Sequence, residues 1–297
     1  MFPGWLSRML SAMMIDESSI SVASLSSSNA IYRVRSVDCD LVLKLATERE
    51  LVVQRWVGQV LPLAVLGVVA AMPCSDVDVE NRWVVATNAV SSDASMSGAE
   101  TYASGLRKMA ELHVSSAHRM PDVLSMGLSV RAGRLEYSSE EVGAVASAIE
   151  LVNELLGLKI DPGMVNGLRA ARSLLGSGVS LGSELCLAHG DLHQNNMLTV
   201  DDHVVLIDWA DACISGPQWD LIFCNENMID AYLAWSGVRN QHAFYKDLRI
   251  AVLFRCFEML KAAVGFALSG QAPETTVTVK AFLSRIVQAA ETREFRG

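Results

Sequence analysis

Between Leu187 and Ala212 the chain reads LAHGDLHQNNMLTVDDHVVLIDWADA, with carboxylates, amides and three histidines set between short apolar runs. His189, Gly190 and Asp191 close a short strand, and the glycine permits a tight turn that exposes Asp191. Asn196 follows five residues after Asp191, just before the strand Met197 to Val200. Asp201 and Asp202 form a turn, and the next strand, VVLI, ends at Asp208. Adjacent antiparallel strands then bring Asn196 and Asp208 near one another, with Asp191 on the connecting loop. One carboxylate to orient a hydroxyl, with an amide and a second carboxylate as oxygen ligands for Mg²⁺, is the set that phosphoryl transfer needs. A different chemistry also uses these residue types: His189, Asp191 and His193, at alternate positions, read as ligands of a metallohydrolase. That reading lacks a distal histidine set.

The elements around this stretch must hold it in place. Ile20 to Ala23 and Ala30 to Arg35 read as strands joined by SLSSSN, and Asp40 to Leu45 as a third strand that embeds Lys44 among apolar neighbours. Thr47 to Gln59 has a helical pattern, with Thr47 as N-cap and Glu50 at the third helical position. A buried lysine needs an anionic partner, and Glu50 is available. Val65 to Ala71 and Arg82 to Ala86 complete a small sheet. Beyond a linker near residues 87–98 the pattern turns helical, over 99–113, 140–158, 165–175, 219–235, 241–268 and 274–294. Short strands are expected at 185–188, 196–199 and 203–207. The chain is therefore read as α+β, with a small β-rich lobe over residues 1–88 and a larger helical lobe over 89–297.

Composition narrows the partners. The 297 residues carry a net charge of −9, which disfavours nucleic acid and anionic membrane surfaces and suits a neutral or cationic ligand. No apolar run is long enough to span a bilayer. The start, MFPGWLSRMLSAMMIDESS, holds one basic residue followed at once by Asp16 and Glu17, and reads as a packing helix rather than a signal peptide. Six widely spaced cysteines without a C-x-x-C pair suggest reduced thiols and a cytoplasmic protein.

HGDLHQNN followed by IDW resembles the H-G-D, downstream Asn and Ile-Asp signatures of the aminoglycoside phosphotransferase and choline kinase family, whose two-lobed fold is like that of protein kinases. LVLKL, TERELVVQRWV, MAELH and GPQWDL are similar to further family stretches. The resemblance implies that Asp191 is the catalytic aspartate and that Asn196 and Asp208 hold Mg²⁺. It implies that Lys44, held by Glu50, steadies the phosphates of ATP or GTP. Ser26, Ser27 and Ser28 would form the loop over those phosphates, although SLSSSN has no glycine. Asp220 would brace the catalytic loop. His189 reads as a packing histidine beneath that loop, whereas His193 either touches substrate or caps the loop. The implied acceptor is a small hydroxylated molecule: an aminoglycoside-type antibiotic first, with choline, homoserine or a sugar-like metabolite as the alternative. Asp211, Glu226, Asp230 and Glu258 are the candidate substrate carboxylates. A non-catalytic kinase-like binding module is disfavoured, because the lysine, the aspartate and both metal ligands are all retained.

Overall fold

The computed structural model describes residues 4–16, 20–26, 31–74, 82–88, 98–131, 135–157, 159–178, 181–182, 184–200, 203–269 and 275–291. The chain packs as two compact units, one of residues 1–128 and 189–213, the other of 129–188 and 214–297. This grouping differs from a division at residue 88. The 98–118 helix and the 189–213 stretch group with the N-terminal sheet, and their side chains interlock with each other, as described below.

In the first unit, α1 (Gly4–Ala12) precedes strands β1 (Ser21–Ser26), β2 (Ile31–Arg35) and β3 (Asp40–Thr47). Helix α2 (Glu48–Val60) leads to β4 (Val68–Pro73) and β5 (Arg82–Asn88). The five strands form one antiparallel sheet in the order β1-β2-β3-β5-β4. Side chains alternate between faces along each strand. Val34, Leu41, Leu43, Val84 and Ala86 point to one face and pack with Trp5, Leu6, Met9 and Leu10 of α1. Each fully buried Val, Leu or Met among them contributes about 1.5–3 kcal/mol. The opposite face carries Ile31, Arg33, Val42, Lys44, Ala46, Val85 and Thr87. Thus α1 is the packing helix expected from the sequence, and it closes the back of the sheet.

Helix α3 (Gly98–His118) and the short α4 (Met120–Ser125) follow. Helix α3 runs past the expected end at His113 and stops before Pro121, which cannot continue a helix. It packs on the hairpin of β7 (Met197–Val200) and β8 (His203–Leu206). A Cβ on Gly105 would run into Met197 Sδ, and the Thr101 and Thr199 hydroxyls are hydrogen-bonded at 3.0 Å.

The second unit is largely helical. It contains α5 (Ser139–Leu156), α6 (Pro162–Ala170), α7 (Arg172–Leu175) and strand β6 (Cys186–Ala188). Strand β9 (Cys213–Ser215) then leads into α8 (Glu226–Ser236), α9 (Gln241–Leu268) and α10 (Thr275–Glu291). The helix expected over 219–235 is shorter. Pro217–Asp220 forms a 3₁₀ turn, and α8 begins only where the Asn225 side chain accepts the Met228 N–H. The expected 165–175 helix starts earlier, at Pro162 after the Asp161 cap, and breaks at Ala171. All six cysteines are thiols, four of them buried. No helix among the described residues is long and apolar enough to cross a membrane.

Candidate active site

Lys44 stands on the open face of β3, opposite Ile31 on one side and Val85 on the other. Its ammonium donates to Glu50 Oε1 at 2.6 Å and to Asp208 Oδ1 at 2.7 Å. Glu50 is 4% exposed. Burial pushes the Lys44 ammonium toward neutrality, but Glu50 and Asp208 outweigh it and hold the group above the ordinary lysine value. Burial dominates at Glu50 and raises its carboxyl in spite of Lys44. The two directions are compatible, because Lys44 has two anionic partners whereas Glu50 is more deeply buried and lies near Asp208. Lys44 is thus charged, and it ties sheet, helix and hairpin together.

The hairpin sets the other groups. Met197 pairs with Leu206, and Ile207 N–H donates to Asn196 O at 3.0 Å, which extends the ladder by one step. Asn196 and Asp208 are therefore close along the backbone, as the sequence implied. Asp208 adopts a left-handed backbone with φ 64° and ψ 66°. For a residue other than glycine this costs about 1–3 kcal/mol. Asn196 Nδ2 donates to the Asp191 carbonyl at 2.8 Å and lies 3.3 Å from Asp191 Oδ2. With its amide nitrogen engaged there, Asn196 keeps an amide oxygen as its remaining hydrogen-bonding atom. An amide oxygen and a carboxylate are hard donors, so the pair Asn196 and Asp208 fits Mg²⁺ chemically.

His193 Nε2 lies 3.3 Å from Asp191 Oδ2 and 3.3 Å from Asn196 Nδ2, which places it beside the aspartate. His189 is fully buried, and its Nε2 lies 2.8 Å from Ile207 O. A carbonyl only accepts, so this nitrogen carries the proton. The ring also packs on Trp209, with centroids 4.5 Å apart. Through this bond His189 joins the Asp191 loop to the Asp208 turn. Among the described residues no group of three or more His, Cys, Asp or Glu is disposed to hold a metal ion. Gly190, at φ +85°, permits another close approach: a Cβ there would strike Asp211 O.

Above Lys44 lies a cavity of about 350 Å³ lined by Ile31, Val42, Ala46, Leu66, Val85, Thr87 and Leu198, with Lys44, Glu50, Asp208 and Arg33 as its charged members. An apolar chamber with Lys44 and Asp208 at one end suits a planar base attached to phosphates. The wall residues escaped the sequence reading. Their signal was the two-residue spacing from Lys44 along β3, together with the neighbours that strand register supplies.

A model of the phosphotransferase enzyme family matches residues 22–253. The chain belongs to that family. As a member it is a phosphotransferase of the small-molecule kinase class. The GDP complex of wild-type aminoglycoside 2'-phosphotransferase-IIIa is 18% identical to this phosphotransferase, with 97% of this chain and 99% of the other covered and a TM-score of 0.61. Choline kinase LicA from Streptococcus pneumoniae is 15% identical over 96% and 97% of the two chains, with a TM-score of 0.56. Macrolide 2'-phosphotransferase MphH from Brachybacterium faecium is 19% identical over 98% and 99%, with a TM-score of 0.54. The phosphotransferase shares their α+β, protein-kinase-like fold. A comparison with curated protein sequences finds no match.

The remaining expected site residues fall in both units. Ser26 ends β1, while Ser27 and Ser28 lie outside the described residues. Asp220 is buried in the second unit, at the end of its 3₁₀ turn. Asp211 is exposed in the first unit, and Glu226 is exposed in the first turn of α8. Asp230 accepts from the Tyr245 hydroxyl at 2.8 Å. Both Glu258 oxygens are engaged, by Arg131 at 2.7 Å and by Arg255 at 3.1 Å.

Proposed function

We propose that this phosphotransferase moves the terminal phosphoryl group of ATP or GTP to a hydroxyl of a small molecule, an aminoglycoside-type antibiotic first among the candidates. The observation that carries the reading is Lys44, charged and held between Glu50 and Asp208 at the edge of an apolar cavity. Complexes of relatives with GDP and kanamycin, and with ADP and spectinomycin, support a nucleotide and a hydroxylated acceptor. The net charge of −9 suits a polycationic acceptor.

In this reading Lys44 fixes the nucleotide phosphates. Asn196, through its amide oxygen, and Asp208 would hold Mg²⁺, which when bound neutralises phosphate charge. Asp191 orients the acceptor hydroxyl and takes its proton as the new O–P bond forms and the bond to the nucleoside diphosphate breaks. Asn196, bonded to the Asp191 carbonyl, and His193, beside its carboxylate, keep that group aimed. His189 supports the loop. The sequence assigns the phosphate loop to Ser26, Ser27 and Ser28, of which Ser27 and Ser28 lie outside the described residues. Of the substrate carboxylates Asp211, Glu226, Asp230 and Glu258, the last already has both oxygens facing arginines.

The test is a coupled turnover screen with Mg·ATP and Mg·GTP against aminoglycosides, choline, homoserine and sugar-like alcohols. Asp191→Asn keeps the side-chain size but removes the charge. It is expected to leave nucleotide affinity within about twofold and to lower turnover by about 10³-fold. Wild-type turnover by the folded variant would reject the assignment.

A further inference from the structure

One ionic group of the cavity has no part in the scheme above. Arg33 projects from β2 onto the same sheet face as Lys44, directly across from Val42. Its guanidinium meets the Asp40 carboxylate edge to edge, with Nε to Oδ1 at 2.8 Å and Nη2 to Oδ2 at 2.6 Å. Asp40 lies two residues before Val42 on β3, so the pair spans the sheet diagonally at the end of the cavity away from Lys44. Both groups that would make Arg33 a phosphate anchor, its charge and one donor edge, are already answered by Asp40. What the bidentate pair leaves is a flat, weakly hydrated π surface held in a fixed orientation.

A neighbour supplies the contrast. Arg35 shares the same face of β2 and reaches the same carboxylate at 3.2 Å, but its side chain is 56% exposed against 22% for Arg33. Only Arg33 lines the cavity. Val42 lies about 7 Å from Lys44 along the strand. A nucleotide with its phosphates at Lys44 therefore extends its base over Val42 and Thr87, toward Arg33.

The geometry points to Arg33 as a nucleobase-binding residue, its guanidinium plane packed against the base, with Asp40 as the positioning residue that holds the plane. The inference rests on the nucleotide reading of the cavity and adds a contact to it. Such a contact distinguishes a nucleotide from a bare polyphosphate, which Lys44 and the metal ligands would treat alike.

The experiment is titration calorimetry, in the presence of Mg²⁺, with ATP and with inorganic tripolyphosphate. Arg33→Met keeps the aliphatic stem and removes the plane. It is expected to weaken ATP binding about three- to tenfold while tripolyphosphate binding stays within about twofold. Asp40→Asn should shift ATP in the same direction by a smaller factor, and Arg35→Met should shift neither ligand. With an accepted substrate, Arg33→Met should raise the KM for ATP and leave kcat unchanged. Should Arg33→Met not fold, Arg33→Lys, which retains charge but not the plane, is expected to give the same pattern. Wild-type ATP affinity in the folded variant overturns the inference, as does an equal loss of ATP and tripolyphosphate. A wild-type protein that binds neither ATP nor GTP overturns the nucleotide reading itself, and Arg33 with it.

Discussion

Helix α2 begins TERE, from Thr47 to Glu50, and helix α5 begins SSEE, from Ser138 to Glu141. Both have the spacing of a reciprocal cap. In α5 the cap is complete: Ser138 Oγ accepts from Glu141 N–H at 3.1 Å, and Glu141 Oε2 accepts from Ser138 N–H at 2.9 Å. In α2 only the first half forms, with Thr47 Oγ1 accepting from Glu50 N–H at 3.1 Å. Glu50 instead turns to Lys44. The consequences are opposite. Burial raises the Glu50 carboxyl, whereas the Ser138 backbone N–H, then Lys261, lower that of Glu141. A local spacing rule specifies the helix start in both places, but the neighbouring strand decides what the glutamate does. Where a half-buried cation competes, the helix gives up half its cap.

The largest expected difference is in turnover. Glu50→Gln should lower kcat/KM about 10²-fold, because Lys44 loses the partner that aims it. Glu141→Gln should leave turnover within about twofold. Comparable losses in the two variants, measured on an accepted substrate, would dissolve the contrast between a site carboxylate and a cap.

Coupling energies sharpen it next. A double-mutant cycle on denaturant stability with Lys44→Met and Glu50→Gln should give a coupling of about 1–3 kcal/mol. The matching cycle with Lys261→Met and Glu141→Gln should show no measurable coupling, since both partners are solvent-exposed. Strict additivity at Lys44 and Glu50 would mean that they do not act as a pair.

The smallest effect is in pH dependence, and its sign separates the two glutamates. Glu141 has a lowered folded value, so its stabilisation is present above the unfolded carboxylate range and is lost as pH falls through the folded value. Glu50 has a raised folded value. Its contribution is fully present below the unfolded range and is lost as pH rises through the folded value. Thermal unfolding between pH 3 and pH 7 should show the Tm difference from each Glu→Gln variant changing in opposite directions. Parallel pH trends would contradict one of the two environments.

Much of the candidate site's local geometry was legible because its signals are short. Asp191, Asn196 and Asp208 lie within one loop and one hairpin, where strand pairing follows from alternation and turn residues. Lys44 and Glu50 are six residues apart, across a strand end and a helix start. Helix α9 was bounded correctly, Gln241 to Leu268, because Asn240 caps it and its apolar positions persist along its length. Helix α3 and the 217–236 region were misjudged at their ends, where the stop is set by a proline or by a cap some residues away.

Contacts between distant segments were not legible. Asp208 meets Lys44 across 164 residues, and nothing local to either side chain announces the other. Arg33 looked like an ordinary strand residue until sheet register put it on the face of Lys44 and beside Asp40. The sequence by itself determined the class of chemistry, the hairpin and the helix starts, because these depend on residue types within a few positions of one another. Only the tertiary structure decided which face is a cavity, which charges meet and which glutamate leaves its cap, because those outcomes depend on burial and on distances between segments that the chain brings together by folding.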